Sequence, residues 1–277
     1  MIQRTWALVV ATVVVLGGVV GAVVLWAGSD KAEVVRALPA DTLARAALRG
    51  PAKDAADGQA HDDTRKVLAE SSRRNTYTVL YFHTASRPGA QKTARQAASI
   101  VSKLPQPVAW TVVDVEDPSA QPVLAKYGIR SEPMTLMLAP NGAVTTGFAG
   151  AVSAEALERG FVSPKMAEVL QAIQAEQIVF LAFVGPEVAE SDAVRRATQQ
   201  AAAEMTGISR TIEIDPRDPA EEQLLSQCEV SPASKLAETL VISPRGAIVQ
   251  RFKGAMTPRH LFDSIQRILA QESGCGS

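Results

Sequence analysis

Apolar and polar positions follow three regimes along the chain. From Trp6 to Trp26 a run of 21 residues, "WALVVATVVVLGGVVGAVVLW", carries no charge. From 30 to 60 the pattern breaks into Ala, Pro, Gly and scattered charges, as a spacer does, with a short helix expected at Asp41–Leu48. Beyond 60, short continuous apolar runs alternate with stretches of helical spacing. "TVLYF" and "IVFLAF" are short apolar runs that each lead into a helix, and they predict strands. "AQKTARQAASIVSKL" after the first run has helical periodicity, and "VAWTVVDV" follows as a second strand. Asn141-Gly142 between "TLML" and "AVTTGF" predicts a hairpin.

The pattern repeats. "APNGAVTTGFAGAVSAEAL" (139–157) and "SPRGAIVQRFKGAMTPRHL" (243–261) align without a gap at an offset of 104, with seven identities. Upstream, "VDVEDP" matches "IDPRDP" and "VLYF" matches "FLAF" at an offset of 101, so the second copy carries a three-residue insertion before its hairpin. A duplicated domain of about 100 residues follows. Each copy reads strand, helix, strand, short helix, hairpin, closing helix. A right-handed strand–helix–strand crossover makes the first two strands parallel, and the hairpin adds an antiparallel pair. The expected organisation is a transmembrane helix at 6–26, a spacer at 30–60, and α/β sandwiches at 61–175 and 176–272.

A helix over 6–26 rises ~1.5 Å per residue and spans a bilayer core, with Trp6 and Trp26 at the two interfaces. An uncleaved anchor is expected; the alternative is a signal peptide cut near "AGS" (27–29). Arg4 before the span, against Asp30, Lys31 and Glu33 after it, puts the N-terminus in the cytoplasm and the rest outside. Gly17 and Gly21 form a helix-packing G-x-x-x-G through which the span could dock as an accessory subunit of a membrane complex.

Hydrophobic residues make up 47% of the chain, enough for real cores, and the net charge of −1 excludes an electrostatic footprint for nucleic acid. Two cysteines and three histidines have no metal-ligand spacing, and neither a metal nor another cofactor is expected. Cys228 and Cys275 lie 47 residues apart, too far for a redox dithiol motif. They are a possible structural bridge; a buried apolar role for Cys228, a free thiol or an intermolecular bridge are the alternatives.

"KYGIRSEPMTLMLAPNGAVTTGFAGAVSAEAL" (126–157) resembles the C-terminal half of thioredoxins, and "TVLYFHTASRPGAQ" falls where that family holds Trp-Cys-Gly-Pro-Cys. The resemblance implies two tandem thioredoxin-like domains. It places the two cysteine positions on Arg87 and Ala90 in the first copy and on Val188 and Ser191 in the second, none of which can exchange disulfides. It also makes Pro133 the counterpart of the family's cis-proline, which leaves the preceding backbone free to pair with an extended peptide. Arg87 and Glu132 would then flank a peptide groove and could pair across it. Counting back from Gly246 puts Ala237 at the proline's place in the second copy, unless the insertion lies elsewhere and Pro232 serves, so the second groove is expected to be degenerate. The function expected from the resemblance is non-catalytic binding of a protein or peptide partner. The alternative is an oxidoreductase working through Cys228 or Cys275 with a partner.

Overall fold

The computed structural model describes residues 59–274, with side chains over 64–267. Residues 1–58, with the expected membrane span and spacer, and Cys275 lie outside the described residues. Among the described residues no helix is long and apolar enough to cross a membrane.

Two four-stranded sheets lie within one compact unit. The first half runs α1 (Gln59–Arg73), β1 (Tyr77–His83), α2 (Ala90–Val101), β2 (Val108–Asp114), α3 (Gln121–Tyr127), β3 (Met134–Leu138), β4 (Val144–Ala149) and α4 (Ala154–Glu158). The second runs α5 (Pro164–Gln174), β5 (Ile178–Phe183), α6 (Ser191–Glu204), β6 (Ser209–Ile214), α7 (Glu222–Gln227), β7 (Glu238–Ile242), β8 (Ile248–Lys253) and α8 (Pro258–Gly274). The strand orders are β2-β1-β3-β4 and β6-β5-β7-β8. β1 pairs parallel with β2 and antiparallel with β3, and β5 pairs likewise with β6 and β7. The two apolar runs are therefore the inner strands β1 and β5, buried along almost their whole length.

The duplication extends to backbone detail. Asn75 and Glu176, 101 residues apart, both take a positive φ where a helix turns into the first strand. Both hairpins close through paired bonds, Ala139 N–H to Ala143 O and Ser243 N–H to Ala247 O, each 2.8 Å. Gly142 and Gly246 supply the left-handed residue of those turns, at φ 83° and 80°. The sheet register slips at the same place in both, between Met137 and Leu138 in the first and between Val241 and Ile242 in the second.

Each sheet is covered on both faces, a sandwich of helices around strands. In the first, Leu80, Phe82, Val123, Tyr127 and Leu136 fill one side and Val79, Val101, Met137 and Leu157 the other. In the second, Val179, Leu181, Phe183, Leu224 and Cys228 lie on one side and Phe180, Val194, Val241 and Leu261 on the other.

Helix α1 begins at Gln59, two residues before the expected start of the first domain at 61. Helix α5 ends one residue ahead of the expected 175/176 boundary, yet Met166, Val169, Leu170 and Ile173 of its apolar face belong to the second core. It is the counterpart of α1 in the repeat, an opening helix. Its other face holds the edge of the first sheet. The Gln174 side chain accepts from Val144 N–H (2.9 Å) and donates to Val144 C=O (2.7 Å), and Gln171 donates to Asn141 C=O (2.8 Å). Tyr77 Oη closes the same junction, donating to Val162 C=O at 2.7 Å and accepting from Val162 N–H at 3.0 Å. Gln174→Ala strands both polar groups of a strand-edge residue, so it should lower the unfolding free energy by about 1–3 kcal/mol and speed amide exchange at Val144. Unchanged exchange there would show that the carboxamide is dispensable.

Candidate functional site

The loop between β1 and α2, residues 84–89, faces the residues leading into β3. The Glu132-Pro133 bond is cis, and Pro133 C=O accepts from Gly150 N–H at 2.8 Å. In the second half Ala237 C=O accepts from Gly254 N–H at 2.7 Å, so Ala237 holds the proline's place and Pro232 does not. The three-residue insertion lies between α7 and β7.

Arg87 lies two residues ahead of Gly89, which caps α2, and Ala90 opens the helix. Arg87 Nη2 reaches across to Glu132 Oε1 at 2.8 Å, with the arginine 58% exposed and the glutamate 19%. An exposed pair of this kind contributes at most about 1 kcal/mol, so a ligand can displace it cheaply. Behind the pair, His83, Tyr81 and Trp110 stack in a row with centroids 5.7 and 5.6 Å apart. Burial, and then the charge of Glu132, raises the Tyr81 phenol above its ordinary pKa. His83 Nδ1, Glu132 Oε2 and Thr135 Oγ1 are buried without a hydrogen-bond partner. Among the described residues the backbone of Ser131 and Glu132 forms no hydrogen bond with other backbone groups.

The second half closes the same place with its own chain. Ala189 N–H donates to Lys235 C=O at 2.8 Å, and Ala237 N–H donates to Ala189 C=O at 3.0 Å, so Ala189 bridges to Leu236 as an added strand would. The Glu190 carboxylate accepts from Ala255 N–H, and Glu190 caps α6 with a φ of 65°. Ser191, the counterpart of Ala90, fixes the loop from inside: its hydroxyl donates to Val188 C=O at 2.8 Å and accepts from Gly185 N–H at 3.0 Å.

In the first half the residues at those positions are Pro88, Pro133 and Gly89. Neither proline has an N–H to donate, and the glycine has no carboxylate. A Cβ at Gly89 would meet nothing within 4 Å. The chemistry that shuts the second cleft is thus missing from the first at all three points. Sequence reasoning placed Arg87, Glu132 and Pro133 together, and they do meet. It missed Glu190 and the loop-fixing role of Ser191, and the signal was available in the alignment of Pro88-Gly89-Ala90 with Ala189-Glu190-Ser191.

Cys228 stands apart from both clefts. It follows α7 as a free, buried thiol, and its carbonyl accepts from Arg251 Nη2 at 2.6 Å. Burial pushes its pKa up to about 12, although the Arg251 charge acts in the opposite direction. It lies on the α5 and α7 side of the second sheet, whereas α8, which leads towards Cys275, packs Leu261 and Ile265 on the other side. The pairing with Cys275 falls outside the described residues. Among the described residues no three His, Cys, Asp or Glu side chains group as metal ligands.

No protein-family model and no curated protein matches the chain. Solved structures do. Thioredoxin O2 from Arabidopsis thaliana is similar at 17% identity and a TM-score of 0.28, over 35% of this chain and 83% of that one. The alkylhydroperoxide reductase component AhpF of Enterococcus faecalis is similar at 18% identity and a TM-score of 0.26, over 73% and 97%. The zinc-bound form of human ERp44 gives 13% identity and a TM-score of 0.30, over 73% and 58%. The sheet order, the parallel crossover, the hairpin and its preceding cis-proline, met once in full and once without the proline, make the chain a tandem of two thioredoxin-like domains.

Proposed function

We propose that the protein is a membrane-anchored, extracytoplasmic scaffold that binds extended peptide segments at the cleft of its first domain and performs no thiol chemistry there. One observation carries the reading. The second cleft is filled by the protein's own backbone, through Ala189, Lys235 and Ala237, whereas the first presents the same edge with prolines that cannot close it. An incoming peptide would pair with the free backbone of Ser131 and Glu132, donating to Ser131 C=O as Ala189 N–H donates to Lys235 C=O, while Pro133 offers no counterpart of the Ala237 N–H. Arg87 swings out to admit it. The rival oxidoreductase reading needs an accessible thiolate, and the buried neutral thiol of Cys228 suits it poorly.

The test uses a reduced, alkylated and permanently unfolded polypeptide as probe, against the full chain carrying a photo-crosslinker in place of Ser131 or of Lys235. Crosslinking at 131 only, retained when Cys228→Ala and Cys275→Ser are combined, is the expected result. Equal yield at both positions, none at 131, or loss with the cysteines would overturn the reading.

A further inference from the structure

The outer edge of the first sheet differs from that of the second in a way the peptide cleft does not explain. β2 and β6 are both edge strands, and an uncovered edge offers a row of unpaired N–H and C=O groups to any other strand. β6 is guarded. Glu213 projects from it and is held by Arg195 Nε at 3.0 Å and by Gln199 Nε2 at 3.0 Å, both from α6. Arg210 of the same strand bonds Gln171 Oε1 at 3.0 Å.

At the equivalent positions the first domain carries Val112 for Glu213, Ala94 for Arg195 and Ala98 for Gln199. Val112 is 41% exposed, one of three large hydrophobic residues so exposed among the described residues. Trp110, half-buried, lies on the same face of the strand. From Val108 to Asp114 the strand carries one charge, at its end, and only Val113 is buried. A strand of this composition at an edge is a pairing surface without a guard.

We propose that β2 is a homodimer interface, where it pairs antiparallel with β2 of a second copy about a twofold axis near Thr111. Charge complementarity selects a second copy as the occupant. Asp114 and Glu116 lie at one end of the strand. At the other end Arg73 and Arg74 line a groove with Ala109 and Trp110, and the two arginines share one carboxylate, Glu70, which leaves a positive excess. An antiparallel twofold brings each acidic end to the partner's basic end. It puts no like charges opposite one another along the strands, and each Val112 falls near the partner subunit's Trp110. The two α2 helices then lie on the same side of a continuous eight-stranded sheet, where Ala94 and Ala98 permit close approach. An isologous contact of this kind closes on itself and does not propagate.

The test is the mass of the full chain in detergent micelles by light scattering. Wild type is expected as a dimer. Ala94→Arg combined with Val112→Glu, which copies the Arg195–Glu213 pair already accommodated by the second domain, is expected as a monomer with unchanged unfolding. Thr111→Cys in a Cys275→Ser background should form a disulfide-linked dimer on mild oxidation. A monomeric wild type, a dimer that survives the double substitution, or failure of Thr111→Cys to crosslink would overturn the proposal. A surviving dimer would direct attention to the apolar segment at 6–26.

Discussion

Replacing Arg251 by alanine is expected to lower the unfolding free energy by about 3–5 kcal/mol, the range for removing one partner of a buried ion pair. Arg251 Nη1 bonds Glu238 Oε2 at 3.0 Å, and the two side chains are 14% and 10% exposed. The same guanidinium satisfies the Cys228 carbonyl. The loss therefore strands a carboxylate on an inner strand and a carbonyl at the end of α7. In the first domain the matching residues are Met134 and Gly147, an apolar solution in which a Cβ on Gly147 would approach Leu136 Cδ2 to 2.7 Å. Glu238→Met combined with Arg251→Leu should therefore recover most of the loss. Urea unfolding of the three variants decides it: a cost below about 1 kcal/mol for Arg251→Ala would mean that the pair behaves like a surface one.

Stability should also fall steeply in alkali. Burial raises Cys228 from 9.0 to about 12 and Tyr127 from 10.0 to about 12. Both groups are neutral acids in the folded protein, so above their unfolded values the unfolded chain holds fewer protons than the folded one. The stabilisation is complete below pH 9, declines from pH 9 through Cys228 and from pH 10 through Tyr127 as well, and is lost by about pH 12. Each group contributes a slope of about 1.4 kcal/mol per pH unit within its window. Denaturant unfolding from pH 8 to 11 checks this, with Cys228→Ala and Tyr127→Phe each expected to remove its own share of the slope. A flat profile for wild type would mean that neither group is shielded from water.

The strands and hairpins were legible because their signals are local. "TVLYF" and "IVFLAF" are short apolar runs that each lead into a helix, and the turns around Gly142 and Gly246 need a left-handed residue that few others supply. The offset of 104 identified Ala237 correctly because the insertion falls upstream of β7, where the chain crosses between a helix and a strand and tolerates length. The allegiance of α5 was not legible. Its periodicity declares an apolar face without declaring which sheet that face meets, and its polar face mimics a strand through Gln171 and Gln174, a role any surface glutamine could hold. The closing of the second cleft was hidden for a related reason. Backbone bonds from Ala189 and Ala237 depend on an N–H that every residue but proline has, so only comparison with Pro88 and Pro133 makes them visible.

The shared helix α5 has a consequence for synthesis. The polypeptide leaves the ribosome from its N-terminal end, so β4 is complete some 25 residues before Gln174 has been added. During that interval the outer edge of the first sheet lacks the carboxamide that later covers Val144. The first domain is finished only when the opening helix of the second arrives, and that helix is itself committed to the second core. Maturation of the two halves is therefore a single sequential event, in which the C-terminal half acts as the last structural element of the N-terminal one.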